Sequence, residues 1–140
     1  MQKRDVLFFI SAIILFIICL LISINSYATT IDRVIDGDTI VIINPKPPAD
    51  LLQKNHRIAG IDTPEKASKC KKASDLAYKA KAFVTDFVKG GVEIVYVELD
   101  KYGRYLVNVD KNGINLADEL VKNGLAVYYD GGTKTKDWCK

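Results

Sequence analysis

The chain has 140 residues, with 20 Lys and Arg against 17 Asp and Glu and a formal net charge of +3. That length leaves room for one compact domain beside any targeting segment and excludes a second of ordinary size. Without Lys3, Arg4 and Asp5, residues 29–140 hold 18 basic and 16 acidic side chains; this balance permits a polyanionic ligand but cannot by itself argue for one.

The first 28 residues differ from the rest. Lys3 and Arg4 precede an apolar run from Val6 to Ile24, and Ser26 and Ala28 are small residues of the kind a signal peptidase reads. The pattern predicts a secretory signal peptide cleaved after Ala28, or an N-terminal anchor if the long apolar run stays in the bilayer. Both readings keep the two basic residues cytoplasmic and put residues 29–140 outside, secreted, periplasmic or anchored. Cys19 lies in the apolar run, and the domain keeps an even pair, Cys70 and Cys139. An oxidising compartment would allow that pair to bridge, the alternative being two free thiols.

Past Ala28, Thr30 to Ile35 and Thr39 to Ile43 read as strands joined by the turn Asp36-Gly37-Asp38. The proline-bearing segment from Asn44 to Asp50 reads as a loop, and Asn55 to Ile61 as a third strand. Apolar residues at spacings of three and four predict a helix from about Lys72 to Lys89, stopped by Gly90-Gly91. Val92 to Leu99 and Tyr105 to Val109 form a second hairpin around Asp100 to Arg104. Asn115 caps a last helix reaching about Lys122, before Gly124. The order β-β-β-α-β-β-α, mainly β with α, is that of a five-stranded OB-fold β-barrel with two helices.

Four segments carry candidate chemistry. Ile61-Asp62-Thr63-Pro64-Glu65 runs a strand into two carboxylates around a rigid proline, where oxygen ligands for a hard cation and a residue that orients water would both be at hand. It serves equally as a helix entrance or solvated turn. Asp36-Gly37-Asp38-Thr39 is ordinary hairpin chemistry when taken alone. Arg57 in a strand needs an anion if it faces the barrel. Asp100-Lys101-Tyr102-Gly103-Arg104 offers a guanidinium, a lysine and an aromatic ring, or merely a charged hairpin tip. Together the four segments supply what phosphodiester hydrolysis asks for.

In this order, Ile-Asp-Gly-Asp-Thr at 35–39, Arg57, Ile-Asp-Thr-Pro-Glu at 61–65 and Asp-Lys-Tyr-Gly-Arg at 100–104 resemble the staphylococcal nuclease family, with Asn115, Leu120-Val121 and Gly124-Leu125-Ala126 extending the likeness. The resemblance implies an OB-fold enzyme that cuts DNA and RNA with Ca²⁺, acts as a monomer and leaves 3′-phosphate ends. Asp38, Asp62 and the Thr63 carbonyl would hold the metal, Glu65 would position or activate water, and Arg57 and Arg104 would clamp phosphate. Lys101 and Tyr102 match nucleotide-contacting positions.

Two departures stand out: the segment from Asp130 to Lys140 is too short for the family's long third helix, and the loop from Asn44 to Asp50 carries three prolines. Tyr128 and Tyr129 read either as substrate contacts or as packing. Lys66, Lys69, Lys71 and Lys72 read as a solvated loop or as a lure for a polyanion, and His56 as an exposed strand residue. The competing functions are a non-catalytic OB-fold module that binds nucleic acid and an anchored adhesion protein; retention of Asp38, Arg57, Asp62, Glu65 and Arg104 disfavours the first.

Overall fold

β-Branched residues set the first ladder. In the computed structural model, which describes residues 30–43 and 55–140, β1 (Ile31–Asp36) and β2 (Thr39–Ile42) pair antiparallel, and all four residues of β2 are buried. The segment expected to act in targeting, Cys19 and the segment from Asn44 to Asp50 expected as a loop fall outside the described residues. No described helix is long and apolar enough to cross a membrane.

The strand expected from Asn55 to Ile61 is two strands. β3 (Asn55–Ile58) pairs antiparallel with β2, whereas β4 (Ile61–Asp62) turns out of that sheet to pair later with β8 (Val127–Tyr128). The break falls at Gly60, whose φ of 75° is a left-handed conformation that costs glycine little. Its effect is to carry Asp62 away from the ladder that holds Arg57.

Helix α1 (Lys71–Phe87) buries Ala73, Ala77, Ala80 and Val84, one per turn, and Cys70 caps its start by accepting the Ala73 N–H on Sγ at 3.4 Å. Small residues on that face let α1 approach the β1–β2 turn closely. A Cβ on Gly37 would lie 2.7 Å from Ala80 Cβ and 3.0 Å from Thr63 Cγ2. Gly37→Ala is therefore expected to cost about 1–3 kcal/mol through overpacking, read as a lowered denaturant midpoint.

β5 (Glu93–Leu99) and β6 (Tyr105–Lys111) form the second hairpin, and β6 also runs parallel to β3, pairing Arg57 with Leu106. β7 (Ile114–Asn115) adds to β6 and leads into α2 (Leu116–Lys122), whose N-cap Asn115 accepts the Ala117 and Asp118 N–H groups on Oδ1. The main sheet thus has the order β1-β2-β3-β6-β5, with β7 beside β6. The fold is mainly β with two helices, and this path is the strand order expected of an OB-fold. Closure into a barrel is not seen: among the described residues no pairing joins β1 to β5. Bulges in β1 and β5 curl the sheet without closing it.

The core lies between the sheet and the helices, with Ile40, Ile58, Val107, Leu116 and Leu120 wholly buried. His56, expected on the surface, is also wholly buried, beside the rings of Tyr96 and Tyr105 at 5.7 and 6.0 Å. β3 is an interior strand with both neighbours in place, so His56 and Ile58 face the core and Arg57 faces the opposite side.

Candidate active site

Strand register brings the first two candidate residues together. The Ile58 N–H donates to the Asp38 carbonyl at 2.8 Å, which fixes the start of β2 beside β3. Arg57 Nη1 then reaches Asp38 Oδ2 at 2.7 Å, and Nη2 donates to the Ile61 carbonyl at 2.9 Å, across the break that separates β3 from β4. Nη2 is also 4.0 Å from Asp62 Oδ1. One guanidinium is therefore held across β3, β4 and a turn, with one N–H of each Nη bonded to a protein acceptor and the remaining N–H groups left for an anion.

The carboxylates around it are deeply placed. Asp38 and Asp62 are 6% and 3% exposed, and Thr63 is 4% exposed. Burial pushes the Asp38 carboxyl up to about 6, against the pull of Arg57 and the hydrogen bond from Thr39 Oγ1. Asp62 Oδ1 accepts no directed hydrogen bond among the described residues, yet lies 2.6 Å from the Lys134 ammonium; the contact is ionic, with poor hydrogen-bond direction. Trp138 Nε1 makes a long 3.5 Å approach to Asp62 Oδ2.

Glu65 differs sharply, its side chain being 74% exposed and its carboxylate 3.5 Å from Lys134 Nζ. Burial lowers the basicity of Lys134, but the contact with Asp62 and the charge of Glu65 more than offset this and hold the ammonium above the usual lysine range.

Arg104 is oriented by its own hairpin. Asp100 Oδ1 accepts the Tyr102 and Arg104 N–H groups at 2.8 and 2.9 Å, and Asp100 Oδ2 accepts Arg104 Nε at 2.8 Å. Desolvation raises the Asp100 carboxyl, but these bonds with the Arg104 backbone and side chain hold it below the usual carboxylate range. Among the described residues the Nη groups of Arg104 have no hydrogen-bond partner, and the guanidinium lies 5.6 Å from the Tyr102 ring, with Lys101 at 5.3 Å.

A cleft of about 660 Å³ is lined by Arg57, Glu65, Lys101, Tyr102, Arg104 and Lys134, among others. Asp38, Asp62 and Thr63 are not in its lining; they stand behind Arg57. Tyr129 lines the cleft, whereas Tyr128 turns its hydroxyl to Asp118 Oδ1 at 2.9 Å and is absent from the lining. Of the basic stretch, Lys66 donates to the Ile35 carbonyl, Lys71 pairs with Asp75 and Lys72 donates to the Lys140 carbonyl, so these three are engaged with the protein.

The donor set bears on metal. No three Asp, Glu, His or Cys side chains converge as a metal cluster among the described residues, so a cation held by Asp38 and Asp62 would need the Thr63 carbonyl and water to complete its shell. Their oxygens suit a hard cation. Asp62 Oδ1 already draws a cationic group, and the costly charge on Asp38 would be relieved by another.

Lys134, Trp138 and Asp100 are site residues that motif reading missed. Asp100 had a local signal, four residues before Arg104 across a tight turn. Lys134 and Trp138 had one indirect signal, the expected pairing of Cys139 with Cys70. That bridge is present, with Cα atoms 5.9 Å apart, and residues 129–140 form no helix.

Residues 55–138 match the family model described as staphylococcal nuclease homologue. The span contains Arg57, Asp62, Glu65 and Arg104 but begins after Asp38. An uncharacterized protein of Methanocaldococcus jannaschii is 30% identical over 151 residues, covering 82% of this chain and 70% of its own. A thermonuclease of Staphylococcus hyicus is 32% identical over 105 residues, covering 73% of this chain and 59% of its own. A probable endonuclease of Schizosaccharomyces pombe is 31% identical over 83 residues, covering 54% and 36%. The chain thus spans less than two thirds of either relative named as a nuclease.

Proposed function

The chain belongs to the staphylococcal nuclease family, and from that premise we propose that it is an exported, calcium-dependent nuclease that hydrolyses phosphodiester bonds of DNA and RNA and leaves 3′-phosphate ends. The observation that carries the reading is the convergence of Arg57, Arg104 and the exposed Glu65 on one cleft, each arginine oriented by carboxylates of the protein.

In this reading Arg57 and Arg104 bind the scissile phosphate. Preorganised guanidinium groups stabilise charge as it develops on phosphoryl oxygens, and Asp38 and Asp100 keep them from reorganising during reaction. Glu65, free of strong pairing and open to solvent, holds a water and takes its proton as the oxygen attacks phosphorus. The bond to the 5′ oxygen breaks, and that oxygen takes a proton from solvent water in the open cleft and leaves as a 5′-hydroxyl. Lys101 and Tyr102 contact the nucleotide. Asp38, Asp62 and the Thr63 carbonyl would hold Ca²⁺, which supplies Lewis-acid polarisation of a phosphoryl oxygen when bound. Residues 1–28 would deliver the domain outside the cytoplasm, as a monomer.

The test is to incubate the full chain with single-stranded DNA, duplex DNA and RNA, with calcium or with chelator, and to identify the product ends. Calcium-dependent cleavage giving 3′-phosphates is expected. Glu65→Gln is expected to lower turnover by about 10²-fold or more while nucleic-acid binding persists. A folded wild-type chain that binds nucleic acid but never cuts it would instead be a binding module.

A further inference from the structure

The segment after β8 crosses the site as a strap fixed at both ends. At one end the Tyr129 N–H donates to the Gly60 carbonyl at 2.9 Å, next to the pairing of β4 with β8. At the other, Cys139 is bonded to Cys70, the N-cap of α1. Between these anchors the strap is shaped by its own contacts: Tyr129 Oη donates to the Gly132 carbonyl at 2.7 Å, and the Gly132 N–H to Asp130 Oδ1 at 2.9 Å. Lys136 lies 5.4 Å over the Trp138 ring. Lys134, near the middle, reaches inward to Asp62 and Glu65.

Lys134 stands where a small cation would be drawn. Its ammonium is 2.6 Å from a buried carboxylate oxygen with no directed hydrogen bond and 3.5 Å from a second carboxylate. The side chain is nevertheless 46% exposed, so it can withdraw without opening the core. Tethering at both ends keeps the ammonium at high local concentration, because a short closed loop has little freedom to carry it away.

We infer that Lys134 is a built-in occupant of the cation position of this site, held there by the Cys70–Cys139 bridge, and that it competes with a divalent cation for Asp62. The inference rests on the reading of Asp38 and Asp62 as metal ligands. Competition makes the coupling reciprocal: metal loosens the strap, and loosening the strap favours metal. The bridge then sets metal affinity through the strap without any cysteine touching the site.

Calorimetric titration of the purified full chain with calcium tests this without reference to cleavage. Compared with the oxidised wild type, Lys134→Gln and the wild type with its bridge reduced should each bind calcium roughly tenfold tighter. Lys134→Arg, which keeps the charge, should stay near wild type, and Lys122→Ala, a surface lysine paired with Glu119, should not differ. Far-UV circular dichroism confirms that each form is folded. Calcium affinity unchanged or weakened in folded Lys134→Gln, or in the folded reduced wild type, overturns the inference. If affinities shift as expected but no form cuts nucleic acid, the nuclease reading fails and this one stands. If cleavage is calcium-dependent while Lys134→Gln leaves affinity alone, the reverse holds.

Discussion

Arg57→Ala should lose both stability and turnover. The Arg57 side chain is 13% exposed and the Asp38 side chain 9%, so removing the guanidinium strands the Asp38 carboxylate, whereas Asp62, 4.0 Å from Arg57, keeps the Lys134 ammonium at 2.6 Å. Deleting one partner of a buried ion pair costs about 3–5 kcal/mol, most of it the penalty of leaving charge uncompensated. Protonation offers Asp38 an escape, and this gives the effect a pH signature. In the metal-free wild type Asp38 titrates at about 6, above its ordinary 3.8, because burial disfavours the anion. A carboxyl raised in the folded state takes up protons on folding, so its contribution is favourable below 3.8 and is lost as pH rises through about 6. Without Arg57 the attraction that restrains this shift is gone. Denaturant midpoints of Arg57→Ala should therefore fall furthest below wild type at pH well above 6 and approach it as the pH drops. An equal deficit at all pH values would show that Asp38 is not the group left stranded.

Arg104→Ala should separate chemistry from folding. Arg104 is 34% exposed and bonded mainly within its own hairpin, to Asp100. Truncation leaves the Asp100 carboxylate, 12% exposed, still accepting the Tyr102 and residue-104 backbone N–H groups, so its charge keeps two donors and the denaturant midpoint should stay close to wild type. Turnover is another matter, since losing a donor aimed at developing charge costs about 10²–10³-fold. Wild-type kinetics in this variant would remove Arg104 from the site. On the proposed function the pair of arginines makes a contrast: Arg57 would be a structural keystone as well as a phosphate ligand, Arg104 a ligand alone.

The probe for Lys134 joins these two, because the same Asp62 faces Arg57 on one side and the strap on the other. A variant that frees Asp62 from Lys134 leaves Arg57 bonded to Asp38 and the Ile61 carbonyl. Metal affinity can then change without loss of the fold.

Local elements were legible because each rests on neighbours in the chain. Helix α1 follows from apolar spacing, α2 from the Asn115 cap, and the β5–β6 hairpin from alternation about a glycine turn. The candidate residues emerged from the order of four motifs, none decisive singly, since Asp-Gly-Asp or Asp-Thr-Pro-Glu satisfies a turn as readily as a metal. What the sequence by itself determined was therefore the kinds of element, the family and the identity of the groups that could do the chemistry. Tertiary structure decided where they stand. The apolar run through Ile58 and Ile61 reads as one strand until Gly60 takes a positive φ and sends Asp62 to a second sheet. His56 alternates like a surface residue until interior placement of β3 buries it. Lys134 lies in a polar, aperiodic segment distant in sequence from Asp62, and only the β4–β8 pairing and the Cys70–Cys139 bridge bring the two within 2.6 Å. Propensity and pattern act over a few residues; a charge finds its partner across the chain only after the strands and the bridge have closed.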